Sequence, residues 1–327
     1  MGTRDPPSRP DPGGTLSTSD LYSASRPTVS FELYPPRTPK GEAQVWETVQ
    51  RLAPVADYFS VTYGASGTTA ERSEALVSRI LTQTSVPVIA HLTCVGRSRS
   101  QLRGVVEAFL DLGVRDFLAL RGDPPAGESE WTPAPDGFAR ASDLVALIRE
   151  VETERFGAPP RDPVERLAAH RAGRGRVSIA VAAYPGYATP DGGFRVRQDE
   201  LAALRAKQDA GADFAITQLF FDPGAYDALL AAARGAGIVL PLVPGVMPLT
   251  DPARIRRLCD MNTIPHPGEL LGELAACGSP EVAERVGMEV TGAMVRRVLR
   301  RGAPGLHLYT FNQHAGVLRL LDGVLQA

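Results

Sequence analysis

Short β-branched runs, each followed by a longer stretch of helical spacing, recur along the chain from Val29 almost to its C-terminus. Eight such runs read as strands: 29–33, 58–63, 86–92, 116–120, 177–183, 214–220, 238–245 and 305–311. Most are nearly continuous apolar segments, the pattern of parallel strands covered on both faces. Amphipathic helices are expected near 43–56, 70–84, 99–113, 140–155, 195–210, 223–236, 281–301 and 314–325. Ser142 and Asp143, and the pair Asp222-Pro223, read as helix starts, and Gly113, Gly211 and Gly237 as helix ends. Eight β-then-α units in order specify an α/β fold, a (β/α)8 TIM barrel in a single domain. The competing architecture is an open doubly wound sheet. No G-x-G-x-x-G follows any strand and no G-x-x-x-x-G-K-[ST] occurs, so neither familiar glycine loop is present to hold a nucleotide.

The 327 residues fit one large barrel, and 43% hydrophobic content excludes disorder of the whole chain. Thirty-five basic against 37 acidic residues leave a net charge of −2, which gives no bulk attraction for nucleic acid or an anionic membrane. No apolar run approaches the roughly 20 residues of a membrane span. Cys94, Cys259 and Cys277 are too few and scattered for a disulfide framework or a zinc site, so a reducing, cytoplasmic setting is expected. Residues 1–27, dense in Pro, Ser, Gly and Asp and without a secretory apolar stretch, are expected to form a flexible tail before a barrel over 28–327. Two segments interrupt the repeat. Residues 124–141 leave the fourth strand's C-terminal end, where they could roof a site, and 152–176 enter at the opposite rim. The oligomeric state is left open.

Barrel enzymes carry their chemistry at the C-terminal ends of strands. Here those ends offer Glu32, Thr62-Tyr63, His91, Arg121-Gly122-Asp123, Tyr184, Gln218, Met247 and Tyr309. Each alone has an ordinary structural reading: an ion-paired Glu, a satisfied core His, core aromatics with wet hydroxyls. Their convergence on one rim is what those readings explain poorly. No Ser-His-Asp order is present, and no lysine ends a strand to form a Schiff base. Glu32, His91 and Asp123 are potential metal ligands, but single ligands from separate strands are a weak signal, and no metal is expected. The Arg-Gly-Asp triplet is also an adhesion motif; a position after a barrel strand in a cysteine-poor chain argues against that use.

The strings FELYPPRT (31–38), SVTYGASG (60–67), AHLTC (90–94), LALRGDPP (118–125), VAAYP (181–185), DAGADFAITQLFFD (209–222), VPGVMPL (243–249) and HLYTFN (307–312) resemble the methylenetetrahydrofolate reductase family. The resemblance covers about 29–325. It implies a (β/α)8 barrel that reduces 5,10-methylenetetrahydrofolate to 5-methyltetrahydrofolate with NADH or NADPH, usually through bound FAD in a ping-pong cycle that feeds methionine synthesis. By the same resemblance Glu32 is the general acid on N10 and Asp123 the charge that favours the 5-iminium cation. Gln218 would orient the pterin, and Tyr309 would line the shared folate and nicotinamide site. A small-molecule folate is the implied partner. Thr62, His91, Arg121, Asp123, Tyr184 and Lys207 match flavin-contact positions.

The departures concentrate on the flavin. Where flavin-bearing members have a YPE-x-HP segment, this chain reads Tyr184-Pro185-Gly186-Tyr187-Ala188-Thr189. Where they have N-x-x-R-K, it has Ala203, Ala206 and Lys207, and Arg140 stands at the position of a loop tyrosine. Each lost hydrogen bond should cost about 1–3 kcal/mol, so two or three would weaken FAD by about two to five orders of magnitude. FAD is therefore expected to bind weakly or not at all, with direct hydride transfer from reduced nicotinamide as the chemical alternative. Arg140 or the 124–141 loop could instead supply replacement phosphate contacts. On the helix after strand seven, Arg254 and Leu258 stand where members often place Gln and Phe against the folate's aromatic ring. Leu258 loses ring stacking; Arg254 either meets the glutamate tail or is a solvated helix charge.

Overall fold

The computed structural model describes residues 18–22, 26–63, 67–123, 132–157, 177–262 and 264–325. A short helical turn, α1 (Thr18–Leu21), precedes β1 (Thr28–Leu33), α2 (Pro39–Leu52), β2 (Tyr58–Val61), α3 (Gly67–Gln83), β3 (Val88–Thr93), α4 (Arg99–Asp111), β4 (Asp116–Leu120) and α5 (Ala141–Phe156). The second half runs β5 (Ser178–Ala183), a small hairpin β6 (Tyr187–Ala188) and β7 (Phe194–Arg195), α6 (Gln198–Asp209), β8 (Phe214–Thr217), α7 (Pro223–Gly235), β9 (Leu242–Val243) and β10 (Gly245–Val246). Helices α8 (Pro252–Asn262), α9 (Gly268–Ala275) and α10 (Pro280–Arg300), strand β11 (Gly305–Tyr309) and α11 (His314–Leu325) complete it.

The main sheet is parallel throughout, in the order β10-β11-β1-β2-β3-β4-β5-β8-β9. Strands β9 and β10 are two halves of one seventh strand cut at Pro244, which has no N–H to give a ladder. One half pairs β8 through Ile216 and Val243, and the other pairs β11 through Val246 and Leu308, so the ring is closed through that strand. All eight expected strands are present and the (β/α)8 barrel stands. The seventh starts at Leu242 rather than 238, because the Arg234 guanidinium holds the Ile238 and Leu240 carbonyls at 2.7 and 3.0 Å against the end of α7.

Asp222 caps α7 as expected, accepting from the Gly224 N–H at 2.7 Å. Ser142 and Asp143 do not cap α5; that helix starts one residue earlier, with Arg140 at the N-cap and no side-chain cap bond, and Asp143 instead lies in the first turn, facing the helix dipole. Gly113, Gly211 and Gly237 end their helices with φ of 94°, 103° and 72°. Helix α5 continues to Phe156 through the start of the second expected insertion; the rest of that segment, 158–176, and residues 124–131 of the first lie outside the described residues.

Two apolar cores follow from strand alternation. The larger packs strands against helices. The smaller fills the lower interior of the ring with Tyr58, Ile89, Leu118, Ala180, Phe214, Ile216 and Val243, and Leu21 and Tyr22 pack against it. This revises the boundary expected at residue 27. The Thr18 backbone N–H and hydroxyl donate to Asp116 Oδ1 at 3.0 and 2.8 Å, and the Tyr22 ring lies 4.7 Å from that of Phe214. Residues 18–22 therefore floor the barrel, and residues 1–17 lie outside the described residues.

Candidate active site

Above the apolar plug the interior turns polar. Alternation along the strands puts Ser30 and Glu32, Ser60, His91, and His307 and Tyr309 on inward positions, with Glu32 in register with both Ser60 and Tyr309. Glu32 is only 7% exposed. Its Oε2 lies 3.5 Å from His307 Nε2 and 3.9 Å from His91 Nε2. The Tyr34 phenol stands close enough to interact electrostatically with the same carboxyl. Behind these, His91 Nε2 meets Ser60 Oγ at 2.5 Å and His307 Nδ1 meets Ser30 Oγ at 2.9 Å. The Thr310 hydroxyl donates to the Glu32 carbonyl at 2.6 Å and fixes the strand that carries the acid. Across the ring, the Tyr309 hydroxyl donates to the Thr217 carbonyl at 3.1 Å.

Burial dominates the electrostatics of this layer. It pushes His91 down to about 4, so that ring is neutral near neutral pH. It also pushes the Glu32 carboxyl up, while the neighbouring His307 and His91 imidazoles and the Tyr34 hydroxyl pull it below its ordinary value. The imidazole part of that pull exists only if a ring presents a proton or positive charge to the carboxyl. The Tyr34 and Tyr309 phenols are raised by burial first and by the nearby Glu32 carboxylate second.

A second group sits on the rim at strands β4 and β5. Tyr184, 43% exposed, is raised by burial and sits among the charges of Glu200, Asp123, Arg121 and Arg197. Arg121 and Asp123 are exposed and flank Gly122, whose φ is 89°. A Cβ there would also come within 2.5 Å of the Val95 side chain, so glycine is required. Thr62 is half-buried, its N–H donating to the Leu33 carbonyl at 3.0 Å. Lys207 is turned inward: its ammonium donates to the Ala182 carbonyl at 2.7 Å, and burial pushes it down to about 8. The β6–β7 hairpin takes the place expected of an acidic and histidine-bearing segment, with Phe194 packed where a Cβ on Gly224 would fall 2.8 Å from its ring.

The third group faces α8. Gln218 Nε2 donates to Asn262 Oδ1 at 3.0 Å, and its Oε1 accepts from the Leu219 N–H at 2.9 Å. Leu258 is half-buried against the outer core. The Arg254 guanidinium lies 5.0 Å over the Phe311 ring, which stacks on Tyr34 at 6.0 Å, so Arg254 belongs to an aromatic shelf rather than to a solvated helix face. Phe311 and Asn312 both take left-handed backbone, φ 50° and 56°. The Asn312 amide holds that turn by bonding the Tyr34 N–H and carbonyl, each at 2.9 Å.

Of the residues singled out from sequence, Glu32, His91 and Tyr309 meet in one interior layer, and Asp123, Arg121 and Tyr184 gather on the rim. His91 lies inside the ring rather than at its edge. Sequence reasoning missed His307, Tyr34, Ser30, Ser60, Asn262 and Phe311. The spacing S-x-E and H-x-Y on two neighbouring strands was the available signal, since residues two apart share a face. Among the described residues no group of three or more His, Cys, Asp or Glu is placed to hold a metal ion. No described helix is long and apolar enough to cross a membrane.

The fold and the site define a (β/α)8 barrel with a buried acid–base cluster at the open end of its strands. The family model for methylenetetrahydrofolate reductase matches residues 18–324, and the chain belongs to that family. A 5,10-methylenetetrahydrofolate reductase of Pectobacterium carotovorum subsp. carotovorum is 32% identical over 300 residues, 91% of this chain and 90% of that protein. The Escherichia coli protein of the same name is 31% identical, covering 87% of this chain and 86% of that one. Methylenetetrahydrofolate reductase (NADH) 1 of Arabidopsis thaliana is 32% identical over 89% of this chain but 47% of its own length, so this chain spans about half of that plant relative. A solved Clostridium thermocellum protein described as binding two copies of 5-methyl-5,6,7,8-tetrahydrofolic acid shares the fold at a TM-score of 0.59 and 12% identity, over 94% of this chain and 98% of that one.

Proposed function

We propose that this chain reduces 5,10-methylenetetrahydrofolate to 5-methyltetrahydrofolate, with Glu32 as the general acid and reduced nicotinamide as the hydride source. The observation that carries the reading is a carboxyl nearly sealed from water at the end of the first strand, flanked by two imidazoles and a phenol. Burial favours the protonated carboxyl against the pull of the imidazoles and the phenol, and a carboxyl at this position can hand a proton to a departing amine. Proton delivery to N10 opens the substrate's five-membered ring to a 5-iminium cation, and hydride then adds to the exocyclic carbon. Asp123 on the rim would favour the cation. Gln218 would hydrogen-bond the pterin, with Asn262 fixing its amide. Tyr309 would line the folate and nicotinamide site, and Arg254 and Leu258 the side on which the p-aminobenzoate and glutamate leave.

The residues present do not fit a firmly held FAD. Lys207, the retained match to a flavin-contact lysine, spends its ammonium on the Ala182 carbonyl, and the two positions before it that would contribute polar groups are alanines. Direct transfer from NADH or NADPH needs no such grip, because the iminium is itself a hydride acceptor. A flavin-mediated ping-pong cycle is the second reading, favoured by the retained Thr62, Arg121, Asp123 and Tyr184. An anaerobic assay with methylenetetrahydrofolate and each nicotinamide, with and without added FAD, tests both. A sequential kinetic pattern without flavin supports direct transfer. A ping-pong pattern that requires added FAD supports the other, and no turnover with any combination refutes the reductase assignment.

A further inference from the structure

We propose that Thr93 binds the hydride donor: its hydroxyl takes the carboxamide of the dihydronicotinamide ring and holds that ring against the wall made by the ends of β2, β3 and β4. This rests on the reading of direct transfer from reduced nicotinamide and names where that reactant is held.

Alternation along β3 places the hydroxyl. Val88, Ala90 and Leu92 belong to the outer core and Ile89 to the inner plug. His91 and Thr93 follow Ile89 into the ring, with Thr93 one layer above His91, about 6–7 Å nearer the open end. Thr93 is 9% exposed, yet its Oγ1 is buried and has no hydrogen-bond partner. A hydroxyl carries one proton and two lone pairs, and leaving all of them unmet out of water is a net cost to the fold. Three other buried polar atoms among the described residues lack a hydrogen bond, and each has a neighbour that accounts for it. His307 Nε2 faces Glu32 at 3.5 Å, and Arg97 uses its other terminal nitrogen on the Tyr63 hydroxyl at 3.1 Å. Thr28 begins β1 at the floor, where the Tyr22 phenol is close. Thr93 has no such neighbour, so its partner is to be sought in what the barrel binds.

The surroundings select a nicotinamide. Gly122 passes so close to Thr93 that a Cβ there would fall 3.1 Å from Thr93 Cβ, which sets the hydroxyl just inside the rim that carries Arg121 and Asp123. Leu120 pairs with Thr93 in register, and Thr62, half-buried, ends the neighbouring strand on the other side. Two hydroxyls beside an apolar side chain suit a flat apolar ring with one amide on its edge, because a carboxamide both accepts and donates. The pterin belongs elsewhere: Gln218 follows β8, three strands away from β3 around the ring. Hydride transfer needs the two rings face to face, with the reacting atoms about 3–3.5 Å apart. With folate on the Gln218 side, the dihydropyridine takes the β2–β4 wall. A C–H bond breaks at its C4 and one forms at the iminium carbon, leaving a pyridinium ring and the 5-methyl product. The amide bond to Thr93 fixes which face of the ring meets the folate. The part of Thr93 open to the mouth is not its hydroxyl, so binding includes a turn about χ1 that exchanges hydroxyl for methyl.

Thr93→Val, which keeps the shape and removes the hydroxyl, tests this in the full-length, flavin-free protein. Fluorescence titration with NADH and NADPH should show the Kd of the tighter one rising by about 5- to 30-fold. ADP-ribose, which lacks the pyridine ring, and product folate should bind wild type and variant within two-fold of each other. The urea midpoint should be equal or higher in the variant, because an unmet buried hydroxyl has been removed. Thr93→Ser should bind the dinucleotide as wild type does. Unchanged dinucleotide affinity in Thr93→Val overturns the assignment. So does a loss shared by ADP-ribose and folate with a lowered urea midpoint, which marks a structural role. Wild type that takes neither dinucleotide until loaded with FAD refutes direct transfer, and the assignment with it. Failure of the assignment alone reads differently: flavin-free wild type binds the dinucleotide, and Thr93→Val binds it equally.

Discussion

The Tyr22 hydroxyl lies 2.6 Å from that of Tyr58, joining a segment ahead of the first strand to the interior of the barrel. Tyr22 also covers the Phe214 ring, and Thr18 reaches Asp116 on β4. Loss of this floor opens the apolar plug to water. Tyr22→Ala should lower stability by about 2–4 kcal/mol and Tyr22→Phe by about 1 kcal/mol. Urea denaturation followed by circular dichroism checks both; equal midpoints for wild type and Tyr22→Ala would show that the segment only rests on the barrel.

Gly245 is where strand seven passes the site. A Cβ there would fall 2.3 Å from the Thr217 carbonyl and 2.8 Å from the Tyr309 ring. Gly245→Ala should cost about 1–3 kcal/mol and displace Tyr309, reducing kcat/KM at least about tenfold. Steady-state assays and thermal melts on one preparation separate the two effects. Unaltered kinetics would mean that Tyr309 does not line the reacting centre.

Glu32→Gln keeps the shape of the acid and removes its proton. Turnover should fall by about two to four orders of magnitude while the folate Kd changes by no more than a few-fold. Isothermal titration with product folate beside the reductase assay makes the comparison.

Lys207 has a folded pKa of about 8, below its ordinary 10.5, so its neutral form is favoured by folding. The unfolded chain then binds more protons between those values, and stability should rise with pH from about 8 to 10.5. Lys207→Met should abolish that rise and leave turnover within about two-fold of wild type, because the ammonium serves Ala182 rather than a cofactor. In the same preparations the visible absorption of flavin should be absent. Stoichiometric flavin in the wild type, lost in Lys207→Met, would reverse the reading of this residue.

The strand and helix order was legible because period is a local property. VSFEL and VSIAVAA announce buried parallel strands wherever they lie. The carboxyl at the end of the first strand was legible too, from FELYPPRT. His307 was not, because GLHLYTF reads as an ordinary core strand until its neighbour is known, and only the register with Ser30 shows where the imidazole points. Thr18 and Tyr22 were illegible for the same reason: their partners are distant in sequence, and the polar segment around them has the composition of a tail. Lys207 kept its family position while its side chain turned to a backbone carbonyl, which no motif records.

Ser30 and Leu306, bonded across the closing pair of strands, are separated by 276 positions. During synthesis the first strand must therefore wait, its edge unsatisfied, until almost the whole polypeptide has left the ribosome. Glu32 and His307 come together at that same late event, so their buried cluster cannot form before the cylinder shuts.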